Sequence, residues 1–410
     1  MNKMAGVFIL MVLATNSYAG GFQLNLEGQK QLSMGGCSAA LSWDPTVTFY
    51  NPGGMCWLAD EKIYLGGNLI MPHTMFRGMS PSVYTETTDP QSFTPFSAFI
   101  TVGTKEQDSR LTFGLGAYTP FGSGNRWPDG WLGRFVVQEI ELQTVFIQPT
   151  VSYKVADNIG LGIGFVYGFG NMLLRQAIPT NDLNGADGNA KLSGNAKGIG
   201  FNWGVYYEPT EKVNFGLNFR SGVNMKVKDG SAVFSVPTSL ATEFPSSSFT
   251  SNIKLPYTAT LGVAYKPTDR LTLAYDLQFT GWNSYDTLKF DYALNTSSLS
   301  DTKTARNYKS EPTFRVGGQY SISPSFSARA GAYYDFTPVQ DGFVTPDLPD
   351  ANRIGLTAGT TVKINSLLSV DATIEYVHTS IRDGVDAEAN FSGTYQTTAI
   401  VPGFALQLFF

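Results

Sequence analysis

Charge is scarce in this sequence. Asp, Glu, Lys and Arg supply 15% of its 410 residues, against roughly 25% in soluble domains. The net charge is −5 and no basic block occurs, which speaks against nucleic acid as a partner. Two cysteines are too few for a disulfide scaffold. Two histidines leave little for zinc or acid-base chemistry. No Walker loop, G-x-G-x-x-G, H-E-x-x-H or C-x-x-C is present, so neither an enzyme, a metal site nor a cofactor is expected. No segment has the roughly 18 consecutive apolar residues that a membrane helix needs.

What is present points to secretion and to strands. Lys3, the apolar run 4–14, and Ser17 and Ala19 before Gly20 form an expected signal peptide over residues 1–19. Glycine (43 residues) and aromatics (13%) are abundant. Apolar residues recur at every second position. Leu271, Leu273, Tyr275, Leu277 and Phe279 alternate with Thr272, Ala274, Asp276 and Gln278. Ile159, Leu161, Ile163, Phe165, Tyr167 and Phe169 repeat the pattern with glycine at most positions between. One face suits lipid and the other a wet or small-residue interior.

Fourteen such segments can be counted, near 61–71, 93–103, 110–118, 138–153, 158–172, 191–208, 211–227, 252–266, 269–285, 308–321, 325–336, 351–363, 367–380 and 394–410. The connections alternate short and long, as they do in outer-membrane barrels, and the strand number is even. The last strand alternates to a terminal aromatic through Phe404, Leu406, Leu408 and Phe410, the kind of end that barrel-assembly machinery reads. The expected fold is all-β: a 14-stranded antiparallel transmembrane β-barrel over residues 61–410, in a bacterial outer membrane with its lipid and lipopolysaccharide. A lumen this wide exceeds what side chains alone can fill. Residues 20–60 lack alternation and are expected to fold inside it as a small, mainly helical hatch.

Three stretches carry a family resemblance. The start Gly21-Phe22-Gln23-Leu24-Asn25, the segment MGGCSAALSWDPTVTFYNPGGM, and YTPFGSGNRWPDGWLGRF with Pro120-Phe121-Gly122, Trp131, Gly133 and Arg134 resemble the FadL-type transporters of long-chain fatty acids and aromatic hydrocarbons. The family's Asn-Pro-Ala motif reads Asn51-Pro52-Gly53 here; Gly53 keeps the residue small but loosens the backbone. The resemblance implies a monomer that moves a hydrophobic small molecule without an energy source. Outer loops capture the ligand, a lumenal pocket near Phe22 receives it, the hatch shifts, and an inward kink in the third strand releases it sideways. A fatty acid gains about 0.8 kcal/mol per CH₂ by leaving water, so it needs apolar sites rather than an aqueous pore. An open porin for small polar solutes is the competing reading.

Particular residues follow from this. Gly114 and Gly116 mark either the kink, with Asn51 and Pro52 beside it, or a crowded interior. Leu174, Ile178, Phe234, Leu240 and Phe244 are candidate capture-loop residues. Arg220, Arg315 and Arg329 point inward by alternation, as do Asp276, Asp335, Asp371 and Glu375; the arginines either meet a carboxylate ligand or brace the barrel. Cys37 and Cys56 both fall in the hatch, as a disulfide or as two free thiols. His73 is expected in the first outer loop and His378 on the lipid face of strand 13, far apart in strand order.

Overall fold

The computed structural model describes residues 20–58, 61–103, 110–180 and 186–410; the signal-peptide expectation lies outside them. Fourteen antiparallel strands close on themselves. They are β1 (Lys62–Asn68 and Met71–Gly78), β2 (Phe96–Gly103), β3 (Leu111–Tyr118 and Gly122–Arg126), β4 (Glu139–Ala156), β5 (Ile159–Ile178), β6 (Gly188–Thr210) and β7 (Val213–Arg220 and Val223–Ser235). There follow β8 (Ser247–Leu255 and Thr258–Thr268), β9 (Leu271–Thr280 and Thr287–Tyr292), β10 (Thr302–Ala305 and Glu311–Ser323), β11 (Phe326–Asp335), β12 (Arg353–Lys363), β13 (Leu368–Thr379 and Arg382–Asp386) and β14 (Phe391–Phe409). Closure is made by β1 on β14, from Lys62↔Phe409 to Asn68↔Gly403. It satisfies the backbone polar groups that hydrocarbon cannot.

The alternation maps onto the wall as expected. Leu161, Ile163, Phe165, Leu273, Tyr275 and Phe279 face outward and are exposed. Asp276, Asp335, Asp371, Glu375, Arg315 and Arg329 are buried inside. Strands β4, β5 and β6 run 18, 20 and 23 residues, about twice the 9–11 that a tilted strand needs to cross a bilayer. Their outer halves rise beyond the membrane, so the sequence pattern undercounts them.

Residues 20–58 lie within the barrel. Helix is the smaller part of this segment: α1 (Gln29–Leu32) and α2 (Val47–Tyr50) are single turns, and a 3-10 helix spans Pro52–Trp57. The rest is turns, including Gly35 and Gly36 at φ +70° and +81°, a region other residues enter at a cost. The wall meets this segment through small residues and fixed polar groups. Pro52 packs on Gly162 and Gly204, Ala39 on Gly216 and Gly262, and Met34 on Gly317 and Gly331. The glycines between the outward apolar residues of β5 thus serve close approach. The Asp276 carboxylate accepts from Ser38 N at 2.8 Å, Ala39 N at 3.0 Å and Ser38 Oγ at 3.3 Å.

Candidate transport route

The break in the wall sits on β3, but not at its glycine pair. The strand pairs without interruption with β2 from Thr112 to Tyr118 and with β4 from Leu111 to Tyr118. Gly114 faces Met55 and Thr48 of the inner segment, and Gly116 faces Phe99 of β2. Both are crowded-interior glycines. The expected kink at these positions is therefore corrected: it falls at Thr119–Phe121, where Pro120 removes a donor. Thr119 N makes the last bond to β2, to Phe96 O at 3.2 Å. Pairing with β4 resumes at Gly122↔Gln143, four residues beyond Tyr118 where β4 has advanced three from Phe146, which is a bulge. The freed backbone turns inward. Leu24 N donates to Pro120 O at 3.0 Å, and Gly122 N donates to Phe22 O at 3.1 Å. A residue or two of the inner segment thus replaces β2 as the partner of β3.

Three cavities meet at this break. The first, about 310 Å³, lies in the gap between β2 and β3 and is lined by Leu24, Ile70, Pro72, Phe93, Phe96 and Leu142 among others. The Phe93 ring lies across Gly124, where any Cβ would overlap it. The second, about 200 Å³, lies in the lumen beside the segment 21–26 and mixes Leu24, Leu26 and Val401 with Asp335, Asp350 and Arg353. The third is small and mostly apolar, lined by Phe22, Ile140, Met172, Leu173, Tyr285 and Arg306 among others. Ser123, on the displaced part of β3, lines all three.

Phe22 lines the third cavity. It is buried and packs edge-on against Trp282, Tyr285 and Phe121 at centroid distances of 4.8, 5.5 and 6.2 Å. Asn51 and Pro52 do not lie beside the kink. Asn51 Nδ2 donates to Val205 O of β6 at 3.0 Å and to Ala39 O at 2.6 Å, and Gly53 rests on Gly160 and Gly204. The corresponding expectation is corrected because the inward glycines that admit the motif are on β5 and β6.

Two of the three expected arginines hold the inner segment. Arg220 donates to Phe49 O at 3.0 Å and to Tyr118 Oη, with its guanidinium 4.2 Å from the Phe49 ring centre. Arg315 donates to Gly35 O at 3.2 Å. Arg329 lies deeper, bonded to Gln319 Oε1 at 2.7 Å. The cation at the apolar cavity is Arg306, which alternation could not find because it lies outside the regular strands. It binds Asp347 through both oxygens, at 2.7 and 3.1 Å, and Thr345 at 2.8 Å. Burial opposes the charge on both partners, but their attraction outweighs it: Arg306 is held above its ordinary range and Asp347 below. The Arg306 Nε has no partner among the described residues. Nearby Asp350, which accepts from Gly21 N at 3.0 Å, is pushed up by burial to about 6.

The candidate capture residues pack rather than lining an open groove. Ile178 is buried, and Leu174, Phe234 and Phe244 pack on the main apolar cluster. The Phe234 ring lies 6.1 Å from both Phe244 and Tyr292. Leu240 is half-buried in a one-turn 3-10 helix. Trp131 of the loop after β3 stacks on Trp127 at 4.4 Å, Gly133 abuts its ring, and Arg134 bonds Asp187 at 2.6 Å.

Cys37 and Cys56 are free thiols, which removes the disulfide option. They face different walls: Cys37 Sγ donates to Ala274 O of β9 at 3.5 Å, and Cys56 packs on Gly160 of β5. Burial pushes both thiols up, keeping them protonated. The histidines are not far apart. His73 is in the outer part of β1 rather than in a loop, and it pairs with Thr398; His378 of β13 pairs with the same Thr398. Linear order hid this because closure makes β1 and β13 both neighbours of β14.

A model of the outer membrane protein transport protein family (OMPP1/FadL/TodX) matches residues 10–410. The chain belongs to this family. It is 24% identical to the long-chain fatty acid transport protein of Escherichia coli O157:H7, over 92% of each chain. Among solved structures it is similar to a Pseudomonas aeruginosa FadL homologue, with a TM-score of 0.83 at 20% identity over 95% of this chain and 99% of that one. The Ralstonia pickettii toluene transporter TbuX gives 0.72 at 16% identity, over 94% and 99%. The protein is an outer-membrane transporter of hydrophobic compounds of the FadL/TodX type.

Proposed function

We propose that the preferred cargo is a long-chain fatty acid, and that it leaves sideways between β2 and β3 into the outer membrane's own hydrocarbon. The observation that carries this reading is the convergence of three cavities on Ser123 at the displaced part of β3. An apolar chain entering beside Phe22 passes to Leu24 and Ile70, and from there to the gap that Phe93 covers. Each station offers modest burial, so cargo can leave as well as bind. Residues 20–58 occupy the lumen as a hatch, and a straight aqueous path to the periplasm would have to displace them. The unpartnered Nε of Arg306 at the apolar cavity suits a carboxylate, since a hydrogen bond to a charged group is worth about 1.5–3 kcal/mol. An aromatic hydrocarbon is the second reading, favoured by the ring-rich wall of Phe22, Tyr285 and Tyr308.

The test is uptake by cells lacking their own fatty-acid transporter, supplied with the wild-type chain or with Ser123→Trp. Labelled oleate, toluene and a small sugar are compared at equal outer-membrane protein levels. Oleate uptake that depends on the wild-type chain and falls at least tenfold in S123W is expected. Toluene uptake alone would replace the fatty acid by the hydrocarbon. Sugar uptake, or oleate uptake unchanged by S123W, would overturn the route.

A further inference from the structure

Arg329 has no part in the route above. It faces inward from β11 with only 6% of its surface exposed. Its Nε donates to Gln319, its guanidinium lies 5.7 Å from the Trp43 ring centre, and its Nη1 has no partner among the described residues. A buried guanidinium N–H left unpaired is costly, so its surroundings decide what it is for.

Those surroundings form a separate cavity of about 270 Å³ at the end of the barrel where the turns are short, the periplasmic end in this architecture. Three cations line it, Lys30, Arg329 and Lys363, and no carboxylate does among the described residues. Ser369 also lines it, and its buried hydroxyl has no partner either. Trp43 and Phe409 supply an apolar margin. The carboxylates whose fields reach Arg329 are Asp371 and Asp44. Asp371 is bonded to Thr361 and Gln407. Asp44 is bonded to Thr46 and lies 3.6 Å from Lys30. Two buried donors without partners among the described residues and an excess of positive charge therefore lie on residues that line one opening.

We propose that this cavity is an oxyanion site on the periplasmic face, distinct from the hydrophobic route and independent of the cargo assigned to it. It takes a phosphate or carboxylate head group. Arg329 Nη1 and Ser369 Oγ donate to the anion, Lys363 and Lys30 add charge, and Trp43 and Phe409 cover the first atoms of an apolar stem. Lys30 also donates to Gln407 Oε1 of β14 at 2.9 Å. An anion that draws on Lys30 thus touches one of the attachments of the inner segment to the wall.

The experiment is calorimetric titration of the full-length protein in nonionic detergent and phosphate-free, low-salt buffer. The probes are inorganic phosphate, hexanoate and dihexanoyl-phosphatidic acid. Each is run on the wild type, Arg329→Gln, Ser369→Ala, Lys363→Gln and the distant control Lys254→Gln, with heat-modifiable gel mobility reporting an intact barrel. Saturable binding of at least one probe is expected, weakened at least tenfold by R329Q, three- to tenfold by S369A and K363Q, and unchanged by K254Q. Phosphatidic acid binding at least fivefold tighter than phosphate identifies a lipid head group as the source; equal binding identifies a free anion. Should R329Q fail to fold, S369A and K363Q decide. The proposal is overturned if no probe binds the wild type, or if binding survives the cavity variants unchanged.

Discussion

Gly53→Ala sets two effects of opposite sign against each other. An alanine narrows the unfolded chain's freedom and on that ground stabilises by about 0.4–1 kcal/mol. In the folded chain its Cβ would stand 2.7 Å from Gly204 O and 2.8 Å from Gly160 O. Both are backbone atoms of paired strands whose register runs without a shift from Ile159↔Tyr207 to Ile178↔Gly188, so the 3-10 helix must move instead. Overpacking of this kind costs about 1–3 kcal/mol. The steric term wins, leaving a net loss of roughly 1–2 kcal/mol, which by 1.4 kcal/mol per tenfold corresponds to about 5- to 30-fold easier local opening. Hydrogen exchange followed by mass spectrometry on the full-length protein in detergent reads this directly, in peptides covering 47–57. Gly54→Ala is the internal control, because its Cβ meets only side-chain atoms, at 3.0–3.4 Å; a change below threefold is expected. Exchange in G53A that is unchanged or slower than wild type would refute the close-approach argument and leave the loosened backbone as the whole account of this glycine.

Asp276→Asn should free the turn at Ser38–Ala39 while leaving the barrel intact, because it removes the charge from an acceptor of three hydrogen bonds. A local loss of about 2–3 kcal/mol would appear as faster amide exchange at 36–42, and unchanged exchange there would count against the anchor. Glu27, buried with neither carboxylate oxygen partnered among the described residues, is pushed up by burial from the ordinary 4.5 to about 8. Its native form holds the proton longer than its unfolded form does, so its contribution to stability falls as pH rises from about 4.5 to 8 and is level above that. Glu27→Gln should flatten this part of the pH–stability profile in thermal unfolding, and an unaltered slope would contradict the assignment.

The outward half of this protein was legible in its residues. Hydrocarbon demands alternate apolar side chains along each strand where it crosses the membrane, and short turns on one side of the membrane with longer loops on the other make the connections alternate in reach. Fourteen strands, their facing and the membrane they cross therefore follow from period-two patterns such as 271–279. The inward half was legible only in kind. Alternation gave the direction of Arg315 and Asp276 but not their partners, since Gly35 lies 280 residues from Arg315 in the chain. The break in β3 was displaced from the expected glycines to Thr119–Phe121, because its cause is a register difference with β4 and a substitute partner at Phe22–Leu24. Arg306 left no periodic signal, being placed by Asp347 from another loop. The joining of β1 to β14, which brings the two histidines to flank one threonine, is a property of a closed sheet that a linear order cannot express. Local sequence set the pattern of each strand where its outer face meets hydrocarbon; the route, the anchors and the oxyanion cavity were decided by which distant strands the barrel brought face to face.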